Sequence, residues 1–184
     1  MLPRASLRDD GFFLPPRALD GQPAPTSEAT PPQLAQSSRA VAEVLVHADW
    51  GSGERGDATR RLWDTEMSFY GPVGVGLAVG RAAYEAHVLG PLHAALADRR
   101  FEVDVLSCEG NYCGAHGYIH GRHIGCFLGQ PATHRAIKLR AGMHWHVING
   151  KAVEGWAIFD FPMLFKEAFG VDLFARNATP SPCP

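Results

Sequence analysis

The dipeptide Asn149-Gly150, set between runs rich in Trp, Val, Ile and Phe, constrains this chain more than any other feature because it demands a tight β-hairpin. Both central positions of a two-residue type I′ turn need φ > 0, and Asn and Gly tolerate that best. The ascending arm reads Gly142-Met143-His144-Trp145-His146-Val147, and the descending arm runs from Ala152 through Glu154, Trp156 and Ile158 to Asp160. Register decides which of these residues share a face, since a one-residue slip turns every side chain over. With the two-residue turn, Trp145 opposes Glu154 and Met143 opposes Trp156. One face then carries Leu139, Met143, Trp145, Glu154, Trp156, Ile158 and Asp160, and Val153, Ala157 and Phe159 point outward. With a three-residue loop and a glycine bulge, the ascending arm slips and His144 and His146 join Glu154, Trp156 and Asp160. The short turn is preferred, because Asn-Gly favours it and it places Trp145 and Val147 inside.

Upstream, Val41, Val44, Leu45 and Ala48 recur at helical spacing from about Gln33 to Trp50, and Gly51-Ser52-Gly53 ends the run. Asp57 can cap a short second helix, and Glu66 to Tyr70 reads as a strand broken by Gly71-Pro72. A third helix spans about Arg81 to Ala97, with a kink expected at Gly90-Pro91 because proline lacks a backbone donor. Phe101 to Val105 alternates as a half-buried strand. Tyr112 to Leu128 is one long strand or two, with Tyr112, His116, Tyr118 and His120 on one face and Cys113, Ala115 and Ile119 on the other. Ala136–Val147 and Ala152–Asp160 complete an antiparallel meander, and Phe161 to Gly170 reads as a last helix with proline near its start and glycine at its stop. Helices followed by a meander predict an α+β domain whose curved sheet encloses a pocket for a small apolar ligand.

Residues 1–32 are a proline-rich leader expected to be disordered or loosely docked, 33–178 the folded domain, and 179–184 a flexible tail. A formal charge of −2 without a basic run excludes a nucleic-acid partner by charge. No apolar run approaches the roughly 20 residues that span a bilayer, and the N-terminus has no signal-peptide core, so a cytoplasmic location without membrane attachment is expected. Cys108, Cys113, Cys126 and Cys183 have no C-x-x-C spacing and are expected to be small hydrophobes, without a disulfide or zinc site.

The order Phe69-Tyr70-Gly71-Pro72-Val73-Gly74-Val75-Gly76, Gly80 opening a helix that contains Pro91, Gly125, Leu128-Gly129, Ala132-Thr133, HWHV-NGK-VEGW-FD, and Gly170-Val171-Asp172-Leu173-Phe174 resembles the SnoaL-like polyketide cyclases, from about Val41 to Arg176. The resemblance implies the nuclear-transport-factor-2-like cone: a curved, mostly antiparallel sheet with three to four helices around a pocket. It also implies ring-closing acid/base chemistry without cofactor or metal, with Asp160 matching the acid near the end of the last strand. Homodimers are common in that fold, and here the outward residues Val153, Ala157 and Phe159 are the expected contact.

The residues themselves offer Asp160, Glu154, His144 and His146 as catalytic candidates, since a buried carboxyl or a carboxyl–imidazole pair can move protons near neutral pH. Trp145, Trp156, Met143, Ile158, Tyr70, His116, Tyr118 and His120 are the expected ligand-binding residues. Each acid also has a structural alternative: Asp160 as partner of the last helix's N-terminus, and Glu154 as cross-strand partner of Lys151 or Arg140. His144 and His146 could share an ion, but no acid follows at metal-site spacing; His116 and His120, roughly 13 Å apart along a strand, could not. No metal is expected. The second function class is a binding protein that keeps the pocket without an activated acid.

Overall fold

The computed structural model describes residues 32–50, 56–72 and 74–175. Apart from Pro32, the expected leader lies outside these residues, as does the expected tail. Helix α1 (Pro32–Trp50) buries Val41, Leu45 and Ala48 of the expected stripe together with Ser38, Ala42 and Val46, whereas Val44 is 39% exposed. Helix α2 (Gly56–Leu62) has Asp57 in its first turn and Arg60 and Arg61 in its last, charges that suit its dipole. Strand β1 (Trp63–Tyr70) pairs antiparallel with β2 (Leu77–Val79), a strand too short for its alternation to show in the sequence.

Helix α3 has three parts: α-helical Arg81–Tyr84, a π-turn Glu85–Leu89, and α-helical Gly90–Ala95. The kink expected at Pro91 takes the form of this wider turn, in which the Gly90 N–H bonds back to Glu85 O. Strands β3 (Leu96–Glu109), β4 (Tyr112–His123), β5 (Ala136–Ile148) and β6 (Lys151–Phe159) follow. Helix α4 (Phe161–Leu164) continues as a π-turn, Phe165–Phe169, and Gly170 ends it at φ 72, a conformation open to glycine without strain. The curved sheet runs β2-β1-β6-β5-β4-β3, antiparallel except where β1 meets β6. The architecture is the expected α+β one.

The core between helices and sheet is aromatic. Trp63 and Phe69 of β1 pack on Tyr84 of α3, with ring centroids 5.2 and 4.6 Å from it, and Trp50 joins Phe69 to Phe159. Gly155 of β6 lies beneath this cluster: a Cβ there would come within 2.4 Å of Trp63 Cη2 and 3.3 Å of Phe69 Cδ2. The indole cannot withdraw easily, because its N–H is bonded to Asp49 at 2.8 Å.

Two expectations fail. Ala157 and Phe159 are not an outward contact surface; they are 4% and 9% exposed and belong to the core. Nor are the cysteines free hydrophobes: Cys108 and Cys113 form a disulfide across β3 and β4, with their Cα atoms 4.1 Å apart. Gly110-Asn111 is a tight turn with Gly110 at φ 55, so residues five apart become cross-strand partners, a pairing that metal-type spacing rules do not detect. Cys126 is disulfide-bonded as well. No helix among the described residues is long and apolar enough to cross a membrane.

Because the glycine under Trp63 has no room for a methyl group, Gly155→Ala is expected to lower the unfolding free energy by about 1–3 kcal/mol. Urea denaturation followed by tryptophan fluorescence measures it; an unchanged midpoint would mean that the indole can move aside.

Candidate functional site on the open face of the sheet

The β5–β6 hairpin combines parts of both expected registers. Its turn is the short one: Ile148 pairs with Lys151 and Val147 with Ala152, while Asn149 and Gly150 hold φ of 51° and 75°. The pairing then shifts, because Val153 is an extra residue on β6, and His146 pairs with Glu154, His144 with Trp156 and Gly142 with Ile158. Met143 and Trp145 therefore point to the helix side, where they are 1% and 2% exposed, and are core residues rather than ligand contacts. The preferred register is corrected accordingly. His144, His146, Glu154, Trp156 and Ile158 share the face turned away from the helices, together with Tyr70, whose ring stacks on Trp156 at 5.7 Å. Strand β4 adds His116, Tyr118 and His120 to that face, as its alternation predicts.

On this face Asp104, His116, Gly117, Tyr118, Arg140, Ala141, Gly142, Ile158, Phe159 and Asp160 line a groove of about 510 Å³. Gly142 lies in the lining of this groove, and Gly114 plays the matching part beside it under His144. His116 pairs with Gly142, and His144 with Gly114, so each imidazole lies over a glycine: a Cβ on Gly142 would be 2.9 Å from His116 Nδ1, and one on Gly114 would be 2.8 Å from His144 Cδ2. The two rings meet edge to face at 5.2 Å. Burial, and next the neighbouring His116, hold the His144 pKa below its ordinary value, which favours the neutral ring at neutral pH.

Arg140 donates from Nη2 to the Tyr118 hydroxyl at 2.9 Å, and Lys138 Nζ stands 3.9 Å above the Tyr118 ring. With its oxygen already accepting from Arg140, the Tyr118 hydroxyl can donate its own proton to a ligand oxygen. His120 Nε2 sits 2.8 Å from Glu102 Oε2, which draws it toward the β3 side. Asp160 follows β6 directly; its N–H bonds to Arg140 O, and its carboxylate accepts from Met163 N at 3.1 Å as the N-cap of α4. Asp160 thus lines the groove while its carboxylate caps the helix.

Farther along the face, Glu154 and His146 form a pair, with Oε2 3.1 Å from Nδ1 and residue exposures of 1% and 8%. Among the described residues no group of three or more His, Cys, Asp and Glu is placed to hold a metal ion.

One acid was missed by the sequence reading. Asp49, near the end of α1, is fully buried and accepts from Thr59 Oγ1 at 2.6 Å, Trp63 Nε1 at 2.8 Å and Tyr84 OH at 3.0 Å. Its backbone oxygen lies 3.0 Å from His93 Nε2, so His93 is tied to α1 rather than free on a helix surface. The available signal was spacing: Ser38, Ala42, Leu45 and Asp49 lie along one inward stripe, where an acid is out of place unless it is partnered. Burial raises the Asp49 pKa to about 6, although its three donors oppose that rise.

Because the folded value exceeds the ordinary 3.8, the native state binds this proton more tightly than the unfolded chain does. The associated stabilisation is complete below about pH 4 and is lost as pH rises through about 6, a total of about 3 kcal/mol. Asp49→Asn is expected to flatten this part of the stability–pH curve. Chemical denaturation from pH 4 to 7.5 tests it, and an equal slope in wild type and variant would assign the pH dependence elsewhere.

Comparisons with known proteins follow the architecture. Residues 35–167 match the family described as SnoaL-like polyketide cyclase. A candidate SnoaL-like polyketide cyclase from Jannaschia sp. CCS1 superposes with a TM-score of 0.67 at 16% identity, covering 79% of this chain and 96% of its own. IdmH, a candidate polyketide cyclase from Streptomyces antibioticus, gives 0.62 at 22% identity over 73% of this chain and 99% of its own. AclR, a candidate hydroxylase from Streptomyces galilaeus, gives 0.61 at 16% identity over 74% and 83%. At these identities the structural likeness establishes the fold alone. A comparison with curated protein sequences found no match. The family match spans well over half of the chain, and the chain belongs to the SnoaL-like polyketide cyclase family.

Proposed function

We propose that the protein is a cofactor-free enzyme performing acid/base chemistry, a cyclisation, isomerisation or hydrolysis, on a small and largely apolar carbonyl compound bound in the groove of the open sheet face. The observation that carries this reading is the groove itself: Asp160, His116, Tyr118 and Arg140 line one space of about 510 Å³ over an apolar floor. Ile158, 67% exposed, offers that floor to a ligand. A carbonyl oxygen would receive the Tyr118 proton, with the Arg140 cation stabilising the charge that develops there. Asp160 moves the proton at the adjacent carbon, His116 faces the same space, and His144 sits behind His116. Glu154 and His146 assist from the neighbouring part of the face, and the Tyr70–Trp156 stack supplies an aromatic wall.

One observation favours the alternative, a small-molecule binding protein: Asp160 is engaged as a helix cap, a complete structural role for an aspartate. Cytoplasmic location and a homodimer remain part of the main proposal. Its contact face is not the one expected, since Ala157 and Phe159 are core.

Deuterium exchange separates the two readings. A panel of small aromatic ketones with exchangeable α-protons is incubated with the protein in D2O and followed by NMR. The wild type is expected to accelerate exchange of at least one of them, and Asp160→Asn to reduce that acceleration by about 100-fold or more with KM little changed. Saturable binding without exchange supports the binding protein, and undiminished exchange in Asp160→Asn rejects the assignment of the acid.

A further inference from the structure

The tip of the β3–β4 hairpin reaches the Glu154–His146 pair. Glu154 is nearly sealed from solvent, and its Oε1 has no hydrogen-bond partner among the described residues, so this carboxylate depends on His146 Nδ1 at its other oxygen. A buried acid with one donor is sensitive to that donor's orientation. Tyr112, the first residue of β4, fixes the ring: the Tyr112 and His146 rings stack with centroids 4.4 Å apart and planes 8° from parallel. The preceding residue, Asn111, accepts from Val147 N at 2.7 Å, which pins the tip beside His146 from the other side. The negative charge of Glu154 also acts on Tyr112: burial first, and that charge second, raise the pKa of its hydroxyl.

The Cys108–Cys113 disulfide closes this tip next to the Glu109–Tyr112 pair. It spans a short loop, so it removes less entropy from the unfolded chain than a long-range crosslink would, and its main effect is local. We propose that Tyr112, clamped by the Cys108–Cys113 disulfide, is the positioning residue for the His146–Glu154 pair, and that reduction of this disulfide by a dithiol releases the pair. In that step two electrons and two protons pass from the dithiol to the cysteines, which become thiols, while the dithiol closes to its own disulfide. The inference concerns the geometry of the pair, whether or not the groove is catalytic.

Nitrogen-15 NMR of the His146 ring in the full-length, histidine-labelled protein, assigned with a His146 variant, tests it, because the Nδ1 and Nε2 signals report which nitrogen carries the proton and whether Nδ1 still faces Glu154. Tyr112→Phe keeps the stacked ring and is expected to give the wild-type ring-nitrogen signals. Tyr112→Ala and the double variant Cys108→Ala/Cys113→Ala are both expected to lose the wild-type Nδ1 signal position, with a shift in the same direction. Wild type reduced with dithiothreitol is expected to follow the double variant, which separates this disulfide from the one at Cys126. Unchanged ring-nitrogen signals in folded Tyr112→Ala or in the double variant overturn the proposal. Should Tyr112→Ala fail to fold, Tyr112→Leu and the double variant decide it. Because the readout is a ring-nitrogen signal rather than turnover, failure here is distinguishable from failure of the enzymatic reading.

Discussion

The extra residue at Val153 governs which side of the sheet can carry chemistry. Without it, strict alternation would send Glu154 to the helix side opposite Trp145, into an aromatic core whose buried described residues include no Lys or Arg. Such a charge would cost several kcal/mol or exist only in protonated form. The bulge keeps Val147 and Trp145 inside and turns Glu154 outward against His146. It also places Gly155, rather than a larger side chain, beneath Trp63. One inserted residue thus settles both the packing of the core and the composition of the open face.

The two buried acids show different ways of carrying a charge in a low-dielectric interior. Asp49 has three donors, from α2, β1 and α3, so its carboxylate joins α1 to each of those elements. Its satisfaction is distributed, and its pKa is raised by desolvation that the donors only partly offset. Among the described residues Glu154 has one donor, His146, whose ring stacks on Tyr112 of a neighbouring strand. The first arrangement suits an element that must stay fixed. The second makes the state of the pair responsive to whatever moves one ring.

The elements were legible because their signals are local. The apolar stripe of α1, the proline and glycine bounding α4, the alternation of β4 and the Asn-Gly turn each depend on a few neighbouring residues, and each appears where its pattern predicts. The order of motifs was enough for the family, and the family carries the fold. His116, Tyr118 and His120 share one face as expected for the same reason, since alternation along an uninterrupted strand is a local property, although which face that is was not legible.

What failed to show in the sequence involves pairs brought together from a distance. The bulge at Val153 is fixed by what His146 and Trp145 each meet across the sheet, and no residue type at that position announces it. The Cys108–Cys113 pair needs the Gly110-Asn111 turn, and the role of Asp49 needs Thr59, Trp63 and Tyr84 to arrive from three other elements. By itself, then, the sequence determined the helices, the longer strands, the hairpin and the family, because hydrophobic period and turn chemistry act between near neighbours. Only the tertiary structure decided which acids are buried, which histidines have partners and which face is open, because burial and hydrogen bonding are settled by segments far apart in the chain.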